Sequence, residues 1–192
     1  MKKILIGTHN KGKFKEIAFL IGKKFKKVSP QALGLQSPRE TGRSFAENAK
    51  LKANYFSKFT NLPVISDDSG LCINSLKGKP GIYSARWAKK HGSFFKAMKF
   101  ILKRMENKKN RTAYFKCSLS FKYSGRKVVT VVGSIKGSIS KRVIGKNGFG
   151  YDPIFIPFSY KKTFGEMSKI KKIKMDHRFL AFKKIKKKIK IL

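Results

Sequence analysis

The sequence predicts an α/β fold, a mixed sheet flanked by helices. Three observations carry that prediction. Short apolar runs with strand character alternate with segments whose apolar residues recur at helical spacing. Two β-branched and aromatic runs, 111–123 and 127–135, are separated only by Ser124-Gly125-Arg126, which reads as a hairpin within an otherwise interleaved chain. The 192 residues are 41% apolar with 17 Phe, enough for a real core despite a net charge of +38. A disordered chain lacks the apolar surface to offset its ordering entropy, so disorder is excluded. The length sets one domain, residues 1–192, with room for a cleft between lobes.

Each element has a local cause. Residues 2–7 form a short buried strand, followed by the polar turn Thr8-His9-Asn10-Lys11-Gly12-Lys13. Phe14, Ile17, Ala18 and Ile21 then lie on one helical face, and Gly22 ends that helix. A second strand covers 25–28, and residues 29–43 are a loop containing Pro30, Gly34, Pro38 and Gly42. Ser44 and Glu47 make a capping box for a helix reaching about Phe59. Residues 63–66 read as a strand stopping at Asp67-Asp68-Ser69-Gly70, with extended structure resuming over 71–76. Gly78, Pro80 and Gly81 mark a loop before Tyr83-Ser84-Ala85-Arg86-Trp87, and 93–105 is an amphipathic helix. Residues 145–152 are a loop with three glycines. Ser168 and Asp176 each suit a helix N-cap, and the second of those helices carries Leu180, Phe182 and Ile185. Its basic end, 183–192, is the solvated face of a last helix.

The charge says less than its size suggests. Of 47 basic residues, 39 are Lys and 8 are Arg, spread along the whole chain. Recognition of bases and phosphates favours the planar fork of Arg. A chain rich in Lys, Ile, Phe and Asn is what an AT-biased coding sequence produces, and the charge is read that way. Cys72 and Cys117 fit no metal or redox spacing and read as reduced, buried thiols. No apolar run approaches the roughly 18 residues of a membrane span. The apolar stretch after Met1-Lys2-Lys3 breaks at Gly7, short of the roughly seven residues of a signal core, and a cytoplasmic location is expected.

Four constellations could carry chemistry. The strand–turn–helix at Thr8 to Lys13 offers backbone N–H groups, a close approach at Gly12 and two lysines, which suits phosphate; it is also an ordinary capping turn. Asp67-Asp68-Ser69-Gly70 follows a buried strand, where hard oxygen ligands suit Mg²⁺, or where an Asx turn would sit. Gly148-Phe149-Gly150-Tyr151-Asp152-Pro153 is either a platform on which a flat base stacks, with Asp152 accepting from a ring N–H, or a tight turn with packed aromatics. Lys172 with His177-Arg178 could supply donors, though a lone His is often structural. Glu47 is occupied by its cap; Glu40, in the preceding loop, has no such duty and is the better metal ligand.

Taken in order, these pieces resemble one family closely. Thr8-x-Asn10-x-x-Lys13, Glu40-Thr-Gly-x-Ser-Phe-x-Glu47-Asn-Ala-x-x-Lys52-Ala and Ser66-Asp-Asp-Ser-Gly-Leu71 resemble the inosine triphosphate pyrophosphatases. So do Gly78-x-Pro-Gly-x-Tyr-Ser-Ala-Arg86-Trp87, Gly148-Phe-Gly-Tyr-Asp-Pro153, Thr163-Phe-x-Glu-Met167 and His177-Arg178. The match runs from residue 4 to about 185. The resemblance implies an elongated mixed sheet flanked by helices, two lobes with an active-site cleft, and a homodimer. It implies Mg²⁺-dependent hydrolysis of ITP, dITP or XTP to the monophosphate and pyrophosphate. By position, Thr8, His9, Asn10, Lys11, Gly12 and Lys13 would hold the triphosphate, and Lys52 would contact phosphate. Asp68 would be the catalytic carboxylate and, with Glu40, a metal ligand, while Ser69 touches substrate. Phe149, Gly150, Tyr151 and Asp152 would hold the base, with Lys172, His177 and Arg178 closing around it.

The chain departs from the family where Ile173 replaces Asn and Asp176 replaces Ser, and where Ile170 and Lys171 replace acidic residues. These changes bear on tightness of binding and base preference, not on reaction class. Two rivals remain at this point: a homologue that has lost turnover and coats RNA or another polyanion, and a pyrophosphatase for modified pyrimidines.

Overall fold

The computed structural model describes residues 1–123 and 125–189. Ser124 of the predicted hairpin turn and residues 190–192 of the basic tail lie outside the described residues. The elements are β1 (Lys3–Ile6), α1 (Lys11–Ile21), β2 (Lys26–Val28), α2 (Phe45–Ser57), β3 (Val64–Ile73), α3 (Ser84–Lys90), α4 (Phe94–Arg104), β4 (Thr112–Lys122), β5 (Val129–Ile139), β6 (Phe155–Pro157), α5 (Lys169–Ile173) and α6 (His177–Lys188). The strands form one six-stranded sheet in the order β2-β1-β3-β4-β5-β6. It is mixed, as predicted: β1 pairs parallel with β2 and β3, and β5 pairs antiparallel with β6. No helix among the described residues is long and apolar enough to cross a membrane.

The chain forms two compact units, with β3, β4 and β5 supplying residues to both. The first holds residues up to Asp68, the segment Cys117–Gly133 and the chain from Arg178. Its centre is β1, whose Ile4, Leu5 and Ile6 are fully buried. Asn10 caps α1 by accepting from the Lys13 N–H, which lets the helix lay Ile17 and Ile21 on a core of Phe25, Ile65, Leu119 and Phe182. Ser44 caps α2 as expected, and that helix buries Ala49, Ala53 and Phe56 before stopping at Ser57, two residues short of Phe59.

The second unit holds Ser69–Lys116 and Ser134–His177. Its core gathers Leu71, Ile73, Ala97, Ile101, Phe115, Phe155 and Phe164. Arg111 ties the end of α4 to the end of β5, its guanidinium donating to the carbonyls of Met105 (2.9 Å), Ile139 (2.7 Å) and Ser140 (2.6 Å).

One expectation fails here. Asp67-Asp68-Ser69-Gly70 is no turn; β3 runs through it without interruption. The reason lies at Gly70, where a Cβ would sit 2.4 Å from both the Gly81 carbonyl oxygen and Ser84 Oγ. Ser84 Oγ bonds both Gly81 O (2.7 Å) and the N–H of Leu71 (3.0 Å), so the glycine marks a close backbone approach within a strand. Gly70→Ala is therefore expected to cost about 1–3 kcal/mol through overpacking, read as a lower urea midpoint at unchanged slope.

The nine carboxylates are placed unevenly. Glu16, Asp67, Asp68, Asp152 and Asp176 are buried, Glu40 and Glu166 are half-buried, and only Glu47 and Glu106 are exposed.

Candidate active site

The turn after β1 is braced from inside. Thr8 Oγ1 accepts from the Asn10 N–H (3.3 Å), and Asn10 Oδ1 accepts from the Lys13 N–H (3.0 Å). His9 uses both ring nitrogens on the loop that follows, bonding the Leu35 carbonyl (3.0 Å) and the Ser37 hydroxyl. It thereby pins that loop to the turn. Lys11 is exposed, Gly12 is half-buried, and Lys13 Nζ stands 3.3 Å from Asp67 Oδ2.

Because β3 is extended, adjacent residues point to opposite faces, and the two aspartates meet different partners. Asp67 takes Lys13 and the Nη2 of Arg178 (3.5 Å), whose Nη1 also bonds Glu16. Burial alone would push the Asp67 carboxyl up, but Lys13, Arg178 and Lys52 together hold it down at about 2. Asp68 Oδ2 accepts from Asn48 Nδ2 (3.1 Å), and its Oδ1 lies 4.0 Å from Lys52 Nζ. Burial lifts the Asp68 carboxyl above its ordinary value, with Lys13 and Lys52 opposing and Glu40 and Asp67 adding to the rise. Lys52 Nζ donates to Glu40 Oε1 at 2.6 Å. Burial would lower the Lys52 ammonium, yet Asp67, Asp68 and Glu40 outweigh it and raise it.

Glu40 and Asp68 thus bring hard carboxylate oxygens to a shared cationic group, Lys52, at 2.6 Å and 4.0 Å. Two carboxylates with remaining positions left to water and phosphate oxygens suit Mg²⁺. Among the described residues no group of three or more His, Cys, Asp or Glu converges so as to hold a metal ion by itself. Glu47 stays at its cap, accepting from the Arg43 N–H (2.8 Å) and the Ser44 hydroxyl (3.1 Å).

In the second unit the glycine loop closes on Asp152. Gly145, Gly148 and Gly150 all have positive φ, and a Cβ at Gly148 would lie 2.1 Å from Asp152 Oδ2. That oxygen accepts from the Phe149 N–H (2.8 Å) and from Lys172 Nζ (2.7 Å). The Lys172 ammonium also lies 4.7 Å from the Phe149 ring centre and 4.0 Å from Asp176 Oδ2. Tyr151 is buried below the loop, its hydroxyl donating to the Ser84 carbonyl (2.9 Å) and its ring edge-on to Phe94. Burial raises its phenol. The His177 ring stacks on Phe115 at 4.8 Å and 12°. Phe149, Asp152 and Lys172 are therefore brought together, with Gly150 half-buried in the same loop; Ser69 is half-buried on β3.

Three partners escaped the sequence reading. Asn48, which holds Asp68, lies one helical turn before Lys52 on the same face of α2, and that spacing was the available signal. Glu16 lies three residues after Lys13 on α1, but its bond to Arg178 spans 162 positions and leaves no local trace. Asp176 reads as a cap, while the structure also sets it against Lys172.

Comparison with known proteins bears on these residues together. The dITP/XTP pyrophosphatase of Caulobacter vibrioides is 42% identical over 186 residues, 96% of each chain. That of Bacillus subtilis is 40% identical over 191 residues, covering 97% of this chain and 96% of its own. The Ham1 protein of Staphylococcus aureus superposes with a TM-score of 0.87 at 33% identity over 98% of both chains. A HAM1 protein from Coxiella burnetii gives 0.88 at 30% identity over the full length of each. The profile of the Ham1 family matches residues 4–188, from the first strand through the last helix, and with these likenesses it establishes that the chain belongs to the Ham1 family.

Proposed function

We propose that this protein hydrolyses non-standard purine nucleoside triphosphates, ITP, dITP and XTP, to the monophosphate and pyrophosphate. The observation that carries the reading is the Glu40–Lys52–Asp68 cluster, intact in a chain whose relatives at about 40% identity are dITP/XTP pyrophosphatases. A polyanion-binding remnant would have no need to keep two carboxylates facing one cation.

In this reading the first unit serves the phosphates. Thr8 to Lys13 present backbone N–H groups and lysine charge at the start of α1, Lys52 contacts phosphate, and His9 fixes the turn. Glu40 and Asp68 would hold Mg²⁺, which when bound would offset the charge on the leaving pyrophosphate. Asp68 orients the attacking water by accepting its proton in a hydrogen bond. Arg178 holds Asp67 at its station beside Lys13. The second unit serves the base. Phe149 supplies a stacking face, Asp152 accepts from the ring N1–H, and Lys172 and His177 are the donors for a 6-oxo oxygen, whereas Arg178, expected beside them, is engaged by Glu16 and Asp67. Adenine offers an amino group there, which would leave such a donor unpaired, a penalty large enough to discriminate. Ser69, Gly150 and Tyr151 shape the approach. A homodimer and a cytoplasmic location belong to the same proposal.

The test is pyrophosphate release from ITP, XTP, GTP and ATP, with Mg²⁺ and with EDTA. Turnover of ITP and XTP is expected to exceed that of ATP by about a hundredfold or more and to vanish in EDTA. Absence of turnover on every nucleotide from folded protein would overturn the proposal.

A further inference from the structure

We infer that Lys52 is an exchangeable internal counter-ion: its ammonium neutralises the Glu40–Asp68 pair, yields those oxygens to a divalent cation, and passes to the phosphate of the substrate. The inference rests on the reading of Glu40 and Asp68 as metal ligands.

Helix α2 presents two side chains to this pair, one turn apart, and they differ in kind. Asn48 is fully buried and fixed by two bonds, its Oδ1 accepting from the Gly42 N–H (2.8 Å) and its Nδ2 donating to Asp68 Oδ2 (3.1 Å). There is no slack in this arrangement, since a Cβ at Gly42 would stand 2.7 Å from Asn48 Oδ1 and 2.9 Å from the Asn48 nitrogen. The loop that carries Glu40 and the strand that carries Asp68 are thereby joined through a neutral amide with a short, ordered side chain. Asn48 keeps them in place whatever happens to the charge between them.

Lys52 is the opposite. It has a long stem and a rotatable ammonium, and only one of its two contacts is a close hydrogen bond: 2.6 Å to Glu40 Oε1 against 4.0 Å to Asp68 Oδ1. The Glu40 side chain at the close contact is 29% exposed, so this bond opens toward solvent. A dication would compete with the ammonium for the same carboxylate oxygens, and it carries the larger charge. Once both oxygens serve a dication, the same carboxylates cannot also hold Lys52 well, and its charge must find another anion. In the proposed reaction that anion is phosphate. Metal and phosphate binding are then coupled through one side chain, and the coupling is reciprocal. Lys52 thus opposes metal binding until a triphosphate is present to receive it.

The experiment is direct Mn²⁺ binding at neutral pH to nucleotide-free protein, followed by calorimetry and by the Mn²⁺ spin-resonance signal. Wild type is compared with Lys52→Met, Lys52→Gln and Glu40→Gln, each checked by thermal melting. Lys52→Gln retains a donor for Glu40 without the charge, and serves if Lys52→Met fails to fold. Both lysine variants are expected to bind Mn²⁺ about tenfold more tightly than wild type, although each loses a residue of the site. Equal or weaker binding in both, with binding still abolished by Glu40→Gln, would overturn the counter-ion role and leave the metal site standing. Binding absent from every protein, or indifferent to Glu40→Gln, would overturn the metal-site reading and the inference with it.

Discussion

Asp68→Asn is expected to lower pyrophosphate release from ITP by about a thousandfold or more while leaving the fold intact. The substitution removes the charge that would hold the metal and orient water, but it disturbs little else. The substituted side chain still offers an oxygen to Asn48 Nδ2, and Lys52 keeps its 2.6 Å bond to Glu40. Melting temperature and circular dichroism should stay near wild type, because a charge lifted by burial stabilises the fold little. Turnover at wild-type level would overturn the assignment of Asp68. The neighbouring Asp67→Asn makes the contrast, since it strips a buried partner from Lys13 and Arg178.

The largest effect on stability is expected at Arg178. The residue is 1% exposed, and its guanidinium serves two buried carboxylates, Glu16 and Asp67. Arg178→Ala leaves both without that partner and should cost about 3–5 kcal/mol, because removing one member of a buried ion pair strands the other. Urea unfolding measures this, and a loss within about 1 kcal/mol would reject the account. Acid sensitivity gives a second reading. The folded Asp67 carboxyl sits at about 2, below its ordinary value of 3.8, so its stabilisation is present above that ordinary value and is lost as pH falls toward 2. With Arg178 gone, one of the cations holding it down is absent, so the Asp67 carboxyl lies closer to its ordinary value and its share of the acid-dependent loss should shrink, from a lower starting stability. Glu16→Gln combined with Arg178→Ala should recover part of the loss, since one stranded charge is then removed.

What the sequence disclosed depended on the range of the forces involved. The caps were legible because Ser44 and Glu47, or Ser168 and Lys171, act within one turn of chain. The apolar face of α1 was legible for the same reason. The path of β3 was not: Asp-Asp-Ser-Gly has strong local turn chemistry, and what overrides it is Ser84 and the Gly81 carbonyl, beyond any local window. Glu40 could be singled out because no cap explained it. For Asn48 the spacing one turn before Lys52 was a signal, but an Asn inside a helix announces neither Gly42 nor Asp68 as its partners. Family resemblance supplied the order of the site residues, and the structure supplied the partners that set their charge.

The placement of the acids has a consequence for the molecule as a colloid. Glu47 and Glu106 are the two fully exposed carboxylates and Glu40 and Glu166 are half-buried, so the net charge of +38 is borne by an exterior with few counter-charges of its own. Such a shell repels itself, and dissolved salt relieves the strain by screening it over about 10 Å at 0.1 M. The interior pairs, shielded from those ions, hardly notice. The shell's behaviour should therefore vary with ionic strength while the buried pairs of the interior keep their geometry.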